Sequence, residues 1–585
     1  MKFQELALFF QKLEQTSSRN AMTEILADLF KKAGTEEIDK ICYLTQGRVV
    51  PLFIPLEFGM ADKMMARAIS KAYGISEEKV TKAFKKMGDL GKTAEIFSSG
   101  GLTSAEVKPQ KETNEVFAVL EKVAKSSGKG SVEQKTSLLA DLLKSVDPLS
   151  ARYIVRIPLG KLRLGFSDMT ILDALSWMVA GDKSKREEIE RAFNVRVDIG
   201  QIAQIVKKEG LEGLKRIKIS LRVPIMPALC QRLPTAEEMV EKLAPRQARG
   251  KVAVEPKYDG TRLQIHFGQE GFVRIFTRNL ENVTSMFPDI IRSVAGEVGA
   301  KEAILDGEAI GFDPKSGNFL PFQETIKRKR KYEIDEKAKE IPLKFFCFDI
   351  LYKDGQDLLA TPLNKRREIL EKILFSSNKT IVLSPQIVTD DPGELRRYHD
   401  EQIEKGLEGV VVKKWQAAYE PGRRGYTWVK FKQEKGKKGG GLADTLDCVV
   451  MGYYKGKGKR AGFGIGGFLV GIREKEGDDQ FVTISKIGTG LTDEQWRGLK
   501  LKIENLKFKI EEKPKEYEVD KNLTPDVWCS PKIVVEIEAD NITKSPVHTA
   551  KYALRFPRLV RFRDDKSPKE ATTLAEAKKL YKLQK

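Results

Sequence analysis

Histidine and cysteine are scarce in this sequence. Its 585 residues include three histidines, His266, His399 and His548, and five cysteines, Cys42, Cys230, Cys347, Cys448 and Cys529. They are dispersed, and no pair has the spacing of a metal knuckle. This argues against a zinc site and against a disulfide framework, and points to a reduced intracellular chain. Long apolar runs are also missing: none approaches the ~20 residues that cross a bilayer, so no membrane partner is expected. The start, MKFQELALFFQKLEQ, lacks the basic opening and apolar stretch of a secretory signal. The expected compartment is the cytoplasm. There is no internal repeat. Negative charge is in deficit, with 83 Asp plus Glu against 103 Lys plus Arg, a formal net charge of +20. That excess points to a polyanion, nucleic acid first; the alternative is a solvated basic surface that keeps the chain soluble.

At about 100–200 residues per domain, the length suggests three or four domains. Residues 1–220 read as helical, with Phe3, Leu6, Phe10 and Leu13 on one helix face. The segment 98–114 reads as a loop. The basic stretch ARYIVRIPLGKLRLGFSD (151–168) either sets cations against a nucleic-acid backbone or carries solvated basic faces. From about 221 the texture changes: VPIMPALCQRLP reads as a connection, followed by β-type runs such as KVAVEPKYDG, RLQIHF, AILDGEAIGF, LKFFCFDILY, TIVLSPQIV and GVVVKKW. With intervening helical stretches these form a mixed α+β domain, roughly 222–435. The stretch 434–444 is rich in Gly and Lys and reads as a flexible link. Short strands with Gly turns over 443–568 suggest a small β-barrel, and TTLAEAKKLYKLQK a basic helix or tail.

The candidate chemistry centres on Glu255-Pro256-Lys257-Tyr258-Asp259-Gly260, followed by Arg262. A lysine at the end of a β-run before Asp-Gly projects from a turn. Free lysine, with a pKa of about 10.4, is protonated and a poor nucleophile. Nearby cations or a metal would lower that value and expose its lone pair for attack on phosphorus. Four residues alone also fit an ordinary β-turn.

Six further segments follow in order: FTRNLENVT with Arg278, ILDGEAIGFD with Glu308, FFCFDILY with Phe348, EGVVVKK with Glu408 and Lys413, YEPGRRGYTWVKFK with Arg424, Lys430 and Lys432, and LRFPRLVRFRDDK with Arg555, Arg558, Arg561 and Lys566. The set resembles the ATP-dependent DNA ligases of archaeal and eukaryotic type, within the lysine-nucleotidyltransferase superfamily. The resemblance covers most of 150–566 and is weaker before that. It implies a multidomain α and α+β architecture. The parts would be a helical DNA-binding domain (1–220), an ATP-grasp-like adenylation domain (221–438) and an OB-fold barrel with a basic tail (439–585).

By the same resemblance, Lys257 attacks the α-phosphate of ATP, Glu255 reads the adenine amino group and Phe348 stacks on the purine; a strand-core position is the alternative for Phe348. Arg262, Arg278 and Arg424 hold ribose or phosphate oxygens, with Arg278 equally suited to the nick's 5′-phosphate. Glu308 binds ribose or a metal, and Glu408 is the stronger metal ligand. Lys430 and Lys432 alternate on a strand and so share a face, where they would stabilise the transferring phosphoryl group. The terminal arginines orient pyrophosphate or grip DNA. Mg²⁺ or Mn²⁺ is implied. The partners are nicked duplex DNA and a sliding clamp, for which QELALFF is only a faint match; the enzyme is expected to be monomeric. Such a ligase serves replication, repair and recombination. A capping guanylyltransferase lacks the long helical region, an NAD-dependent ligase would carry a four-cysteine zinc site, and an RNA ligase is usually shorter. A non-catalytic nick-binding scaffold conflicts with the intact Lys257, Glu308, Glu408, Lys430 and Lys432.

Overall fold

Apolar residues three and four apart build the amino-terminal region. Between Phe3 and Leu214 the computed structural model has twelve α-helices among its described residues. Those residues are 1–99, 110–245, 250–320, 322–329, 333–422, 425–432, 444–456, 464–488, 491–505 and 508–583. The chain divides into two compact units, Met1–Phe431 and Lys432–Lys585. Helix Phe3–Gln15 buries Phe3, Leu6, Ala7, Phe9, Phe10 and Leu13, a single helical stripe. QELALFF is therefore core, with Leu6, Phe9 and Phe10 buried. Helices starting at Arg19, Glu77, Pro148 and Ile199 are capped by Ser18, Ser76, Asp147 and Asp198, each accepting from a backbone N–H three residues on. Of the loop expected over 98–114, residues 100–109 lie outside the described residues; its first two positions belong to helix Leu90–Ser99 and its last two to helix Thr113–Lys125.

The basic stretch 151–168 is largely tied up inside the unit. Arg152 donates to Glu95 at 2.7 Å, and the fully buried Arg156 donates to Asp89 at 2.5 Å and Glu14 at 2.8 Å. Arg163 pairs with Asp89 at 3.2 Å. Desolvation alone would raise the Glu14 and Asp89 carboxyls; Arg156 overrides it and holds both below their ordinary values. Helix Pro148–Arg156 crosses helix Leu90–Ser99 so closely that a Cβ on Gly91 would sit 2.6 Å from the Arg152 carbonyl oxygen.

The connection after the helices is pinned along its length. Gln264 accepts from the Ile225 amide at 2.8 Å and donates to its carbonyl at 3.2 Å, and His266 Nδ1 meets the Leu221 carbonyl at 3.0 Å. The Ala228 amide donates to the Tyr419 hydroxyl at 2.9 Å. Phe53 packs edge-on against Phe276, with Val223 in the same small cluster. Asn194 donates to the Pro421 carbonyl at 3.0 Å. The helical and α+β regions thus form one compact body.

The α+β region is two sheets. Its strands are β1 Gln231–Arg232, β2 Val252–Pro256, β3 Thr261–Phe267, β4 Val273–Thr277, β5 Ala303–Gly311, β6 Leu343–Lys353, β7 Gln356–Asp357, β8 Ile381–Leu383, β9 Ile387–Thr389, β10 Gly409–Lys414 and β11 Trp428–Lys432. One sheet runs β1-β11-β10-β2-β9; the other runs β4-β3-β5-β6-β7, with β8 on β6. The run TIVLSPQIV, expected as one strand, is split at Ser384-Pro385: β8 joins the second sheet and β9 the first.

The second unit is built from β12 Leu446–Lys455, β13 Ile465–Arg473, β14 Phe481–Ile487, β15 Lys509–Ile510, β16 Tyr517–Glu518, β17 Val527–Cys529, β18 Val534–Glu538, β19 Asn541–Lys544, β20 Tyr552–Arg555 and β21 Arg558–Phe562. Its main sheet runs β15-β17-β12-β13-β14-β16, with β18 joining β12 to β21, and forms a half-barrel. β12 pairs first with β18 and then with β17, and a register shift in its pairing with β13 falls at the changeover. The terminal segment is helix Leu574–Leu583, whose Leu574, Ala577, Leu580 and Tyr581 pack on the sheet's core.

Candidate active site

Lys257 emerges where β2 ends, beside the start of β10. Its amide donates to the Gly409 carbonyl at 2.8 Å, and the Glu408 amide donates to its carbonyl at 3.1 Å. The backbone therefore places Lys257 and Glu408 side by side, with Glu255 two residues back on the same face. Gly260 permits the turn that follows: a Cβ there would lie 2.4 Å from the Ala309 carbonyl oxygen of β5. In the second sheet Arg262 on β3 stands opposite Glu308 on β5. Phe348 on β6 meets Trp428 on β11 edge-on at 5.8 Å, so the two sheets converge there.

Charge is concentrated around Lys257 among partly or fully buried side chains. Lys257 Nζ lies 2.5 Å from Glu408 Oε2. Desolvation works to lower the lysine pKa, but Glu408, helped by Glu308 and Asp259, outweighs it and the net shift is upward. Loss of water pushes the Glu308 carboxyl up to about 8; Lys257 and Arg262 oppose this, and Asp306 and Glu408 add to it. Glu255 is buried and its pKa is raised, mainly by desolvation, against the pull of Lys413. The resting site thus holds an ammonium clamped by a carboxylate, beside a second carboxyl that loss of water makes harder to ionise.

Arg262 is tied to protein groups: Nε and Nη2 donate to Asp306 at 3.0 and 2.6 Å, and Nη1 to the Ala228 carbonyl at 2.7 Å. Its guanidinium lies 5.4 Å from the ring centroids of both Phe348 and Trp428. Arg278, just past β4, is exposed. Lys430 and Lys432 follow Trp428 at alternate positions of β11. Arg424 and most of the Gly/Lys-rich link, residues 434–443, lie outside the described residues. In the second unit, Arg558 pairs with Asp540 at 2.9 Å, Arg561 with Glu536 at 2.7 Å and Lys566 with Asp447 at 2.7 Å. Arg555 ends β20, beside Phe556. Sequence reasoning passed over Asp306, Tyr419 and Trp428. Two of them carried a signal: Asp306 shares a strand face with Glu308, and Trp428 with Lys430 and Lys432.

Among the described residues no group of three or more His, Cys, Asp or Glu is arranged to hold a cation. Glu308 and Glu408 are two hard oxygen donors whose mutual repulsion a divalent ion would relieve, so the residues fit Mg²⁺ if ATP phosphates and water complete its shell.

Three family profiles match the chain: DNA ligase N terminus over residues 2–176, ATP dependent DNA ligase domain over 227–432, and ATP dependent DNA ligase C terminal region over 461–566. The class is that of DNA-joining enzymes. A probable DNA ligase of Dictyoglomus thermophilum is 45% identical, the alignment covering 100% of this chain and 98% of the relative. A DNA ligase of Saccharolobus solfataricus is 39% identical with the same coverage. The solved structure Pmar-Lig_Pre shares the fold at 16% identity and a TM-score of 0.53, covering 96% of this chain and 99% of that one. The chain belongs to the ATP-dependent DNA ligases, and ATP is its nucleotide substrate. No helix of the described residues is long and apolar enough to cross a membrane.

Proposed function

We infer that this ligase joins a 5′-phosphate to a 3′-hydroxyl at nicks in duplex DNA through a covalent adenylate on Lys257. The observation that carries the residue assignment is the position of Lys257 Nζ where β2 ends, 2.5 Å from Glu408 and within the electrostatic influence of Glu308. Neutral Nζ attacks the α-phosphorus of ATP; the P–N bond forms, the bond to the β-phosphate oxygen breaks, and pyrophosphate leaves. The nick's 5′-phosphate then attacks the same phosphorus, the P–N bond breaks, and a 5′–5′ pyrophosphate forms. Finally the 3′-hydroxyl attacks the nick phosphate, the backbone closes, and AMP departs.

Glu255 accepts from the adenine amine, Phe348 stacks on the purine, and Arg278 and Arg424 contact ribose or phosphate. Lys430 and Lys432 neutralise charge at the transferring phosphoryl group. Arg262 acts through Asp306, with its guanidinium beside the stacking ring. Glu308 and Glu408 hold Mg²⁺ or Mn²⁺, which supplies charge neutralisation when bound. Arg555, Arg558, Arg561 and Lys566 bind DNA or pyrophosphate. The working domains are a helical DNA-binding region (1–220), the adenylation domain (221–438) and an OB-fold (439–585), acting as a monomer. Clamp recruitment, if used, needs a segment other than the buried helix that contains QELALFF.

The test incubates the protein with Mg²⁺ and ATP, GTP or NAD labelled in the transferable nucleotide. A covalent AMP adduct from ATP, absent in Lys257→Ala, is expected; labelling from GTP alone would overturn the reading. Nicks with DNA or RNA on the 3′ side then separate DNA joining from RNA joining.

A further inference from the structure

Lys413 belongs to the segment EGVVVKK and has no part in the reading above. An ammonium is costly to remove from water unless charge and hydrogen bonds replace that water, yet Lys413 is only 1% exposed. Its surroundings explain how it is accommodated. Nζ lies 2.7 Å from Glu255 Oε2 and donates to the Phe348 carbonyl oxygen at 3.3 Å. It also lies 4.4 Å from the ring centroid of Phe348 and 4.2 Å from that of Trp428, positions in which the rings attract a cation. Strand register supplies the reach. Val411 of β10 stands opposite Glu255 of β2, and Lys413 is two residues along on the same face, a diagonal neighbour for a long side chain. One side chain therefore holds a carboxylate in its own sheet and the backbone of β6 in the other.

The carboxylate it holds is only half satisfied. Glu255 Oε1 is buried and accepts no hydrogen bond among the described residues. A buried acceptor without a donor is unfavourable, and with Oε2 engaged by Lys413, Oε1 is the oxygen left for a ligand N–H. We propose that Lys413 is the positioning residue of adenine recognition: it clamps Glu255 Oε2 and the Phe348 backbone so that Oε1 meets the exocyclic amine of a purine stacked on Phe348. This rests on the roles given above to Glu255 and Phe348. A 6-oxopurine would set a carbonyl oxygen against Oε1 and be rejected. A purine with no 6-substituent would lose one bond.

The test measures initial rates of covalent nucleotidylation of the full chain with ATP and with purine riboside triphosphate, which lacks the 6-amino group. The wild type should prefer ATP in kcat/KM by about 10- to 100-fold, the range for one hydrogen bond to a charged acceptor. Glu255→Met and Lys413→Met should each bring that ratio to within about threefold of unity, the loss falling mainly on KM for ATP. The double variant should show no further loss, since one interaction is lost only once. Lys413→Met leaves a buried carboxylate unpaired; if it does not fold, Lys413→Arg serves, because the planar fork cannot occupy the same position and should still lower the ratio at least about fivefold. If the lysine variants slow both nucleotides equally and keep the ratio, Lys413 is merely structural and the proposal falls. If Glu255→Met keeps the ratio, the role of Glu255 falls first and takes the proposal with it. Loss of the ratio in Glu255→Met but not in the lysine variants overturns the proposal alone.

Discussion

At the scale of single residues, the ion pair between Lys257 and Glu408 sets a condition on the chemistry. The lysine must be neutral to attack, yet its neighbours hold its pKa above the ordinary value. The neutral fraction therefore rises with pH, and the single-turnover rate of adduct formation should climb across the alkaline range before levelling off. Glu408→Gln removes the largest raising charge, so the rising limb should move to lower pH even as the maximal rate falls through weaker metal binding. A limb that stays in place would show that another group controls the lysine. The motif located Lys257 and Glu408 separately. Their contact follows from the β2–β10 register, which no local pattern reveals, and the engagement of Arg262 by Asp306 and Tyr419 is equally invisible in the motif.

At the scale of elements, the interest lies in how the connection is held. His266 on β3 is fully buried, with its ring edge-on to Phe276, Nδ1 3.0 Å from the Leu221 carbonyl oxygen and Nε2 2.8 Å from Gln264 Oε1; both partners are acceptors, so the neutral ring donates to one of them. Burial lowers its pKa from 6.5 to about 3. The unfolded chain therefore takes up an extra proton between those values. The stability that neutral His266 contributes is complete above pH 6.5 and is lost as pH falls toward 3, at most on the order of 4–5 kcal/mol. Chemical denaturation from pH 7 to 4 should show this slope. A His266→Gln variant, though less stable at pH 7, should lack that part of it; an unchanged slope would assign the proton elsewhere. Phe53→Ala should cost about 3 kcal/mol by emptying the contact with Val223 and Phe276; an unaltered thermal midpoint would mean that this cluster does not join the helices to the sheets. Helix existence was legible from apolar spacing, as in Phe3–Gln15. The splitting of TIVLSPQIV between two sheets was not, because a continuous β-prone run carries no mark of which neighbour each half will meet.

At the scale of the whole molecule, the net charge of +20 predicts strong salt dependence. The logarithm of nicked-duplex affinity should fall linearly with the logarithm of salt concentration, with a slope steeper than about −4, each neutralised phosphate contributing about −0.9. A flat dependence in a filter-binding titration would remove the electrostatic account. The arginines of 151–168 illustrate why total charge does not locate the binding surface. Arg152 and Arg156 serve internal pairs, so the expected slope must come from other cations.

The sequence by itself determined the periodicity of the helices, the strand-forming runs and the ordered motifs around Lys257, because these signals act within a few residues of the chain. It also determined the family, since those motifs occur in the family's order from Glu255 to Lys566. Only the tertiary structure decided which charges meet. Lys413 with Glu255, Arg262 with Asp306, and Arg156 with Asp89 and Glu14 are joined by register and helix crossing across long stretches of chain. Burial then decides their roles, because a charge removed from water needs a partner, and that partner's identity is a property of the fold.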